Sequence, residues 1–267
     1  MTSEPSQPVE GAPRRDEPII EVEGLVAGYG ERTLFDGVSF TVRRGEVFVI
    51  LGGSGSGKST LLKNVIGLVR PWQGRVRIAG ADLVDADDAE RRAILRRIGV
   101  MYQQGALFGS MTLLGNVRLP MEELTDLPDD AMDRIAASKL KLVGLEGFEG
   151  YLPAEISGGM RKRAAIARAM ALDPAILFLD EPSAGLDPIT SAGLDDTILL
   201  LRDTLGITFV VVTHELASIY KIADRVIMLD KERKGIVASG SPAFLRDHCE
   251  IDWVRRFFRR ETGAEAA

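Results

Sequence analysis

Apolar residues first recur at strand spacing, Ile20, Val22 and Leu25, then Leu34, Phe35, Val38, Phe40 and Val42, with glycine turns between the sets. This predicts an antiparallel lobe over Ile19 to Val42. The unbroken run Val47-Phe48-Val49-Ile50-Leu51 reads as a buried strand, followed by a helical pattern at Leu61, Leu62, Val65 and Ile66. Further strands are predicted over Gly74 to Ile78 and Ile98 to Tyr102. Helical periodicity then extends from about Thr112 to Ala171 through Met132, Ile135, Leu140 and Val143, with breaks at Gly144 and around Pro153. The second half alternates: a strand at Ile176 to Leu179, a helix from Pro188, a strand at Ile207 to Thr213, a helix from Glu215, and a strand at Val226 to Leu229. Such alternation implies a parallel sheet covered by helices. Val226 to Asp230 and Ile236 to Gly240 read as a terminal hairpin. The fold class is therefore α/β, with an antiparallel β lobe and a helical insert over about 82–171.

Residues 1–18 hold Pro5, Pro8, Pro13 and Pro18 among small and polar neighbours, and 263–267 are similarly poor in apolar side chains, so both ends are expected to be mobile. Of the 267 residues, 45% are hydrophobic and 27% charged, enough apolar material for one large core or a core plus a smaller lobe. No apolar run reaches the roughly 18 residues of a membrane helix, and no secretion signal opens the chain. The single cysteine, Cys249, allows no internal disulfide and fits a cytoplasmic setting. At a net charge of −6, attraction for a nucleotide must be local, and no electrostatic footprint for nucleic acid is present.

Gly52, Gly53, Ser54, Gly55, Ser56, Gly57, Lys58, Ser59 and Thr60 follow the apolar strand directly. This is a P-loop in its required context, strand before and helix after, so the chain is expected to bind a nucleoside triphosphate. Glycines let backbone N–H groups surround the β- and γ-phosphates, and the helix points its positive end at them. Lys58 is expected to reach the β/γ oxygens, Ser59 to ligate Mg²⁺, and the Thr60 hydroxyl to face the α-phosphate side. Ile176 to Leu179 ends in Asp180-Glu181, two carboxylates at the carboxyl edge of a buried strand, the arrangement called Walker B. Asp180 would hold Mg²⁺ through its waters, and Glu181 would polarise the attacking water.

Ile156-Ser157-Gly158-Gly159-Met160-Arg161 narrows the choice, because it resembles the LSGGQ motif of ABC-type ATPases, with Ile156 for Leu and Met160 for Gln. The resemblance spans roughly Ile19 to Gly240. It implies that two subunits sandwich ATP head to tail, so that Ser157, Gly158 and Gly159 face a γ-phosphate held by the partner's P-loop. It further implies an adenine-stacking role for Tyr29, whose alternative is a half-buried strand aromatic. Gln103 matches the Q-loop glutamine that senses Mg²⁺ and water, with the adjacent Gln104 as a competing assignment. Ser183-Ala184-Gly185-Leu186-Asp187 matches the D-loop at the dimer interface, with Asp187 also predicted to cap a helix whose first residue is Pro188. His214 matches the switch histidine that contacts the γ-phosphate.

Met101 to Phe108, the Ser-Gly-Gly-Met-Arg-Lys-Arg stretch ending in Arg163, and Asp180 to Ile189 resemble the ATPase subunits of Mla-type, MCE-associated phospholipid transport systems. That resemblance implies an ATPase homodimer on the cytoplasmic face of the inner membrane. Its implied partners are two permease subunits and a periplasmic MCE lipid-binding protein. Small-solute importers, whose ATPases also carry Met at the position of Met160, remain the alternative, and a soluble non-transport ABC ATPase the more distant one. On this reading 19–246 form the ABC ATPase domain and 247–267 a C-terminal extension. Aromatics and arginines over 251–260 suit a helix that either docks on a partner or anionic lipid, or packs on its own lobe.

Overall fold

The computed structural model describes residues 17–261. The expected loose ends lie almost entirely outside that range, although Pro18 opens the first strand. Strands β1 (Pro18–Tyr29) and β2 (Arg32–Arg43) form an antiparallel hairpin, and β4 (Gln73–Ile78) and β5 (Ala81–Asp82) extend the same sheet in the order β2-β1-β4-β5. The second sheet takes its strands from far apart in the chain. Its members are β3 (Val47–Gly52), β6 (Ile98–Met101), β7 (Ile176–Asp180), β8 (Thr208–Val212), β9 (Arg225–Asp230) and β10 (Gly235–Gly240). The order is β10-β9-β3-β8-β7-β6, all pairings parallel except β9 with β10.

The central strands are continuously apolar because both their faces are covered. Val47, Val49 and Leu51 of β3 face a core shared with the helices, while Phe48 and Ile50 face a second core shared with the antiparallel sheet. Period-two alternation thus hands each strand to both cores at once. Helix α1 (Lys58–Val65) follows the glycine-rich turn, and α2 (Asp88–Leu95) starts at a capping box built by Asp87 and Glu90.

Of the 82–171 span expected as a helical insert, α3 (Leu113–Leu124), α4 (Asp129–Leu142) and α5 (Gly158–Ala169) are helical, while β6 within the same span belongs to the six-stranded sheet through its pairing with β7. The interruption between α3 and α4 was not among the expected breaks. It falls where Thr125 ends one helix and Pro128 caps the next, with Arg118 tying the two through Glu122, Asp129 and Asp133. Helix α6 (Pro188–Leu205) begins under the Asp187 cap, and α7 (Leu216–Ile222) follows β8. Beyond the hairpin lie α8 (Pro242–His248) and α9 (Asp252–Arg259). Val254 and Phe258 of α9 are buried in the helical core, and Tyr220 donates a hydrogen bond to the Phe258 carbonyl at 2.7 Å. Of the two readings of this segment, the one that packs it on its own lobe describes the structure. Helix α8 was not anticipated; its start is set by Ser241, which accepts from the Phe244 amide, and by Pro242 in the first turn.

Candidate active site

Strand order places the chemistry. β8 lies between β3 and β7, so the carboxyl ends of three adjacent parallel strands deliver Gly52–Gly57, His214 and Asp180-Glu181 to one edge of the sheet. At the end of β3 the chain cannot carry side chains. A Cβ on Gly52 would come within 2.3 Å of Ser56 Oγ, and one on Gly57, at φ 95°, within 2.5 Å of the Phe35 ring. Gly53 and Gly55 face open space instead. Ser56 is 3% exposed and its hydroxyl has no hydrogen-bond partner within the chain, a buried polar group beside a turn of backbone amides. The Lys58 ammonium lies across the loop on the carbonyls of Gly52 (2.8 Å) and Gly53 (3.1 Å). These features fit a polyphosphate: an amide cradle, a mobile cation, and the start of α1.

An open cleft of about 640 Å³ runs from this loop along Gly55, Gly57 to Thr60, Leu34 and Tyr29, with Arg32 and Lys231 at its rim. Arg32 and Lys231 escaped the sequence reading because Arg32 opens β2 and Lys231 sits in the β9–β10 turn, both distant in the chain from the loop. Tyr29 is 53% exposed on this cleft, and its hydroxyl accepts from Thr60 Oγ1 at 3.2 Å. The Thr60 hydroxyl is therefore directed to Tyr29, while its neighbour Ser59 is exposed on the cleft, as is Ser54.

Asp180 is half-buried, and burial together with Glu181 raises its pKa, opposed by Lys58, Lys63 and Lys162. A carboxylate desolvated in this way and facing a lysine favours a hard cation nearby. No group of three or more His, Cys, Asp or Glu side chains able to hold a metal exists among the described residues. Glu181 sits at φ 47°, its amide held by the Val212 carbonyl at 2.8 Å, and its Oε1 lies 2.9 Å from His214 Nδ1. A non-glycine residue in the left-handed region signals a position fixed by its surroundings. Together with His214, Gly52, Gly53, Ser54 and Lys58 border a second cavity of about 530 Å³, closed by Met228 and the α9 side chains Trp253 and Phe257.

Ser157, Gly158 and Gly159 are elsewhere. Ser157 caps α5, accepting from the Met160 amide at 3.2 Å. Gly158 lines a separate cleft of about 470 Å³ with Gln103, Gln104, Arg161, Lys162 and the loop Ala184 to Leu186. Gly159 is buried against α6, where a Cβ would approach Thr190 Cγ2 to 2.3 Å, so its glycine is required by helix packing. Asp187 caps α6 through the amides of Ile189 and Thr190 and the Thr190 hydroxyl, which lower its pKa. Within one chain, then, Tyr29, the P-loop, Asp180, Glu181 and His214 converge, while Ser157 to Gly159, Gln103 and the 184–187 loop form a second face. Both glutamines are exposed on that face, and neither is singled out.

The sequence reading missed Lys162, whose buried ammonium reaches the Gln103 carbonyl and, at 3.5 Å, the Glu181 carbonyl. The available signal was a lysine on the same helical stripe as Gly159 and Ile166.

Comparison with known proteins agrees with this geometry. The family model described as "ABC transporter" matches residues 35–184. A probable ribonucleotide transport ATP-binding protein, Mkl of Mycobacterium tuberculosis, is 43% identical over 221 residues, which are 83% of this chain and 61% of Mkl. The chain thus spans about three fifths of that relative's length. The intermembrane phospholipid transport system ATP-binding protein MlaF of Haemophilus influenzae is 37% identical over 84% of each chain. The methionine import ATP-binding protein MetN of Brucella abortus is 38% identical over 88% of this chain and 63% of its own. Among solved structures, the ATP-binding cassette MJ0796, in a dimeric post-hydrolysis state with ADP and Pi, superposes with a TM-score of 0.74 at 31% identity, covering 83% of this chain and 98% of that one. With a P-loop, an Asp180-Glu181 strand end and a Ser157-led helix all on this fold, the chain belongs to the ABC transporter family as an ATP-binding domain.

Proposed function

We propose that two copies of this chain hydrolyse ATP between them and so drive a membrane transporter. The observation that carries this reading is the division of the residues: Gly158, next to the Ser157 cap, and the P-loop line different clefts of one chain, so a nucleotide touching both needs a second copy. Mg²⁺ would be held by Ser59 and Asp180 and would supply charge neutralisation on the phosphates. Lys58 and the loop amides hold the β- and γ-phosphates, Tyr29 stacks on the base, and Ser157 and Gly158 of the partner copy close over the terminal phosphate, with Asp187 fixing the adjoining loop. Glu181 orients the attacking water and accepts its proton, and His214 holds that carboxylate in place.

The cargo reading is phospholipid, with a permease pair and an MCE protein as partners and the cytoplasmic face of the inner membrane as the site. It is supported by the Met101 to Phe108 and Ser157 to Arg163 segments and by the likeness to MlaF over 84% of each chain. A small-solute importer is the second reading, favoured by the comparable likeness to MetN. No helix among the described residues is long and apolar enough to cross a membrane.

Gentle extraction from native membranes followed by mass spectrometry of co-purifying polypeptides and lipids tests the cargo. A permease with an MCE protein and phospholipid supports the first reading, and a solute-binding protein with its permease supports the second. Glu181→Gln tests the chemistry: ATP binding is expected within about twofold of the parent, with turnover reduced by two orders of magnitude or more. An unchanged turnover rate removes Glu181 from the water-activating role.

A further inference from the structure

Lys162 lies on the buried side of α5 and is only 8% exposed. An ammonium there is costly unless it finds acceptors. It finds two main-chain carbonyls, those of Gln103 and Glu181, which follow the carboxyl ends of the neighbouring strands β6 and β7. Burial lowers the lysine pKa, while the charges of Glu181 and Asp180 oppose that shift. A second cation lies six positions along the same helix. Arg168 donates from Nη1 to the Ala106 carbonyl at 2.7 Å and from Nη2 to the Gly105 carbonyl at 3.0 Å. Between the two cations, Gly105 is seated so closely that a Cβ there would lie 3.2 Å from the Ala165 methyl. The 103–106 loop is thus gripped by its carbonyls, which leaves the Gln103 and Gln104 side chains exposed on the cleft they share with Gly158.

We propose that Lys162 is a positioning residue for hydrolysis: it fastens the Glu181 main chain and the Gln103 loop to the helix that Ser157 opens, so that these three parts shift together. The proposal rests on the ATPase reading above. Its physical content is that the strained Glu181 backbone, at φ 47°, has three restraints: the Val212 carbonyl on its amide, and the Ala184 amide (3.1 Å) and the Lys162 ammonium (3.5 Å) on its carbonyl, of which only Lys162 ties it to another element through a side chain. Removing Lys162 leaves that carbonyl to the local Ala184 turn alone and lets the carboxylate that meets His214 drift without disturbing the P-loop. Arg168 grips the same loop but does not touch Glu181, and so provides an internal control.

The test uses the full chain with Lys162→Met, which keeps the apolar stem, Lys162→Arg, which keeps the charge, and Arg168→Gln. Steady-state ATP hydrolysis, ATP binding, thermal unfolding and amide hydrogen exchange are measured on each. Lys162→Met is expected to lower kcat about tenfold or more with KM for ATP changed by no more than about twofold. It should also quicken exchange over both 103–108 and 181–184, and Lys162→Arg should recover part of each effect. Arg168→Gln should quicken exchange over 103–108 alone and lower kcat less. A Met variant with kcat within about twofold of the parent, or with unchanged exchange over 181–184, overturns the proposal, as does a kcat loss matched by equal loss of ATP binding. If the parent chain hydrolyses no ATP, the ATPase reading fails by itself. Exchange over 181–184 then decides whether Lys162 fastens that segment, and an unchanged rate refutes it.

Discussion

Asp195, on the inner face of α6, is 5% exposed, and burial raises its pKa to about 6 against the help of the Ser218 hydroxyl and Lys221, with Glu215 and Asp196 adding to the rise. The unfolded chain releases this proton near the ordinary aspartate value, so between about pH 4 and pH 6 the folded state holds a proton that the unfolded state has lost. Stability from this group therefore declines as pH rises through that window and stays lowered above it. Asp195→Asn is expected to unfold like the parent near pH 4 and to be more stable by about 2–3 kcal/mol at neutral pH, as measured by urea titration at both values. Residues that act through a contiguous run were legible in the sequence, because Gly52 to Thr60 and Asp180-Glu181 carry their own context. Lys162, Arg168 and Arg32 were not, since their roles depend on partners brought near by the fold alone: Lys162 meets a carbonyl 59 positions away and Arg168 one 62 positions away. The pairing of His214 with Glu181 across 33 positions depended in the same way on β7 and β8 being neighbours.

At the scale of elements, strands and strongly capped helices were readable, and changes within helical stretches were less so. Asp187-Pro188 announced α6 because its carboxylate and its fixed φ both act locally. The gap between α3 and α4 was hidden because Pro120 inside α3 and Pro128 at the cap of α4 are the same residue type with opposite outcomes, decided by packing. α9 belongs to the helical core through Val254 and Phe258, each at most 2% exposed. Phe258→Ala is expected to cost about 3–5 kcal/mol of unfolding free energy, measured by urea denaturation, as for other aromatic truncations in a close-packed core. A loss below about 1 kcal/mol would mean that α9 docks only loosely.

For the molecule as a whole, the α/β class, the antiparallel lobe and the helical insert follow from periodicity and element order. Strand order does not. β3 lies between β9 and β8, neighbours that only the closed sheet reveals, and this order is what gathers the phosphate loop, the carboxylates and the histidine. In the proposed function a second copy supplies the other half of the nucleotide site, so the Glu181→Gln chain with ATP and Mg²⁺ should elute from size exclusion as a dimer. Adding a Ser157→Arg change should return it to a monomer by placing bulk and a guanidinium where the partner's phosphate would sit. A dimer that persists without nucleotide, or that survives Ser157→Arg, would locate the contact between copies elsewhere.

The two-faced β3 strand makes distance along the chain a poor guide to energetic distance. Val49 and Ile50 are covalent neighbours, yet one contributes to the core beneath the helices and the other to the core beneath the antiparallel sheet. Truncations at these two positions should sum with little interaction energy, within about 0.5 kcal/mol, whereas Val49 and Val211, paired across β3 and β8 in the same core, should depart from additivity. The central sheet therefore works as a partition: damage on one side is largely contained there, and sequence can drift on the helical side without being felt on the other.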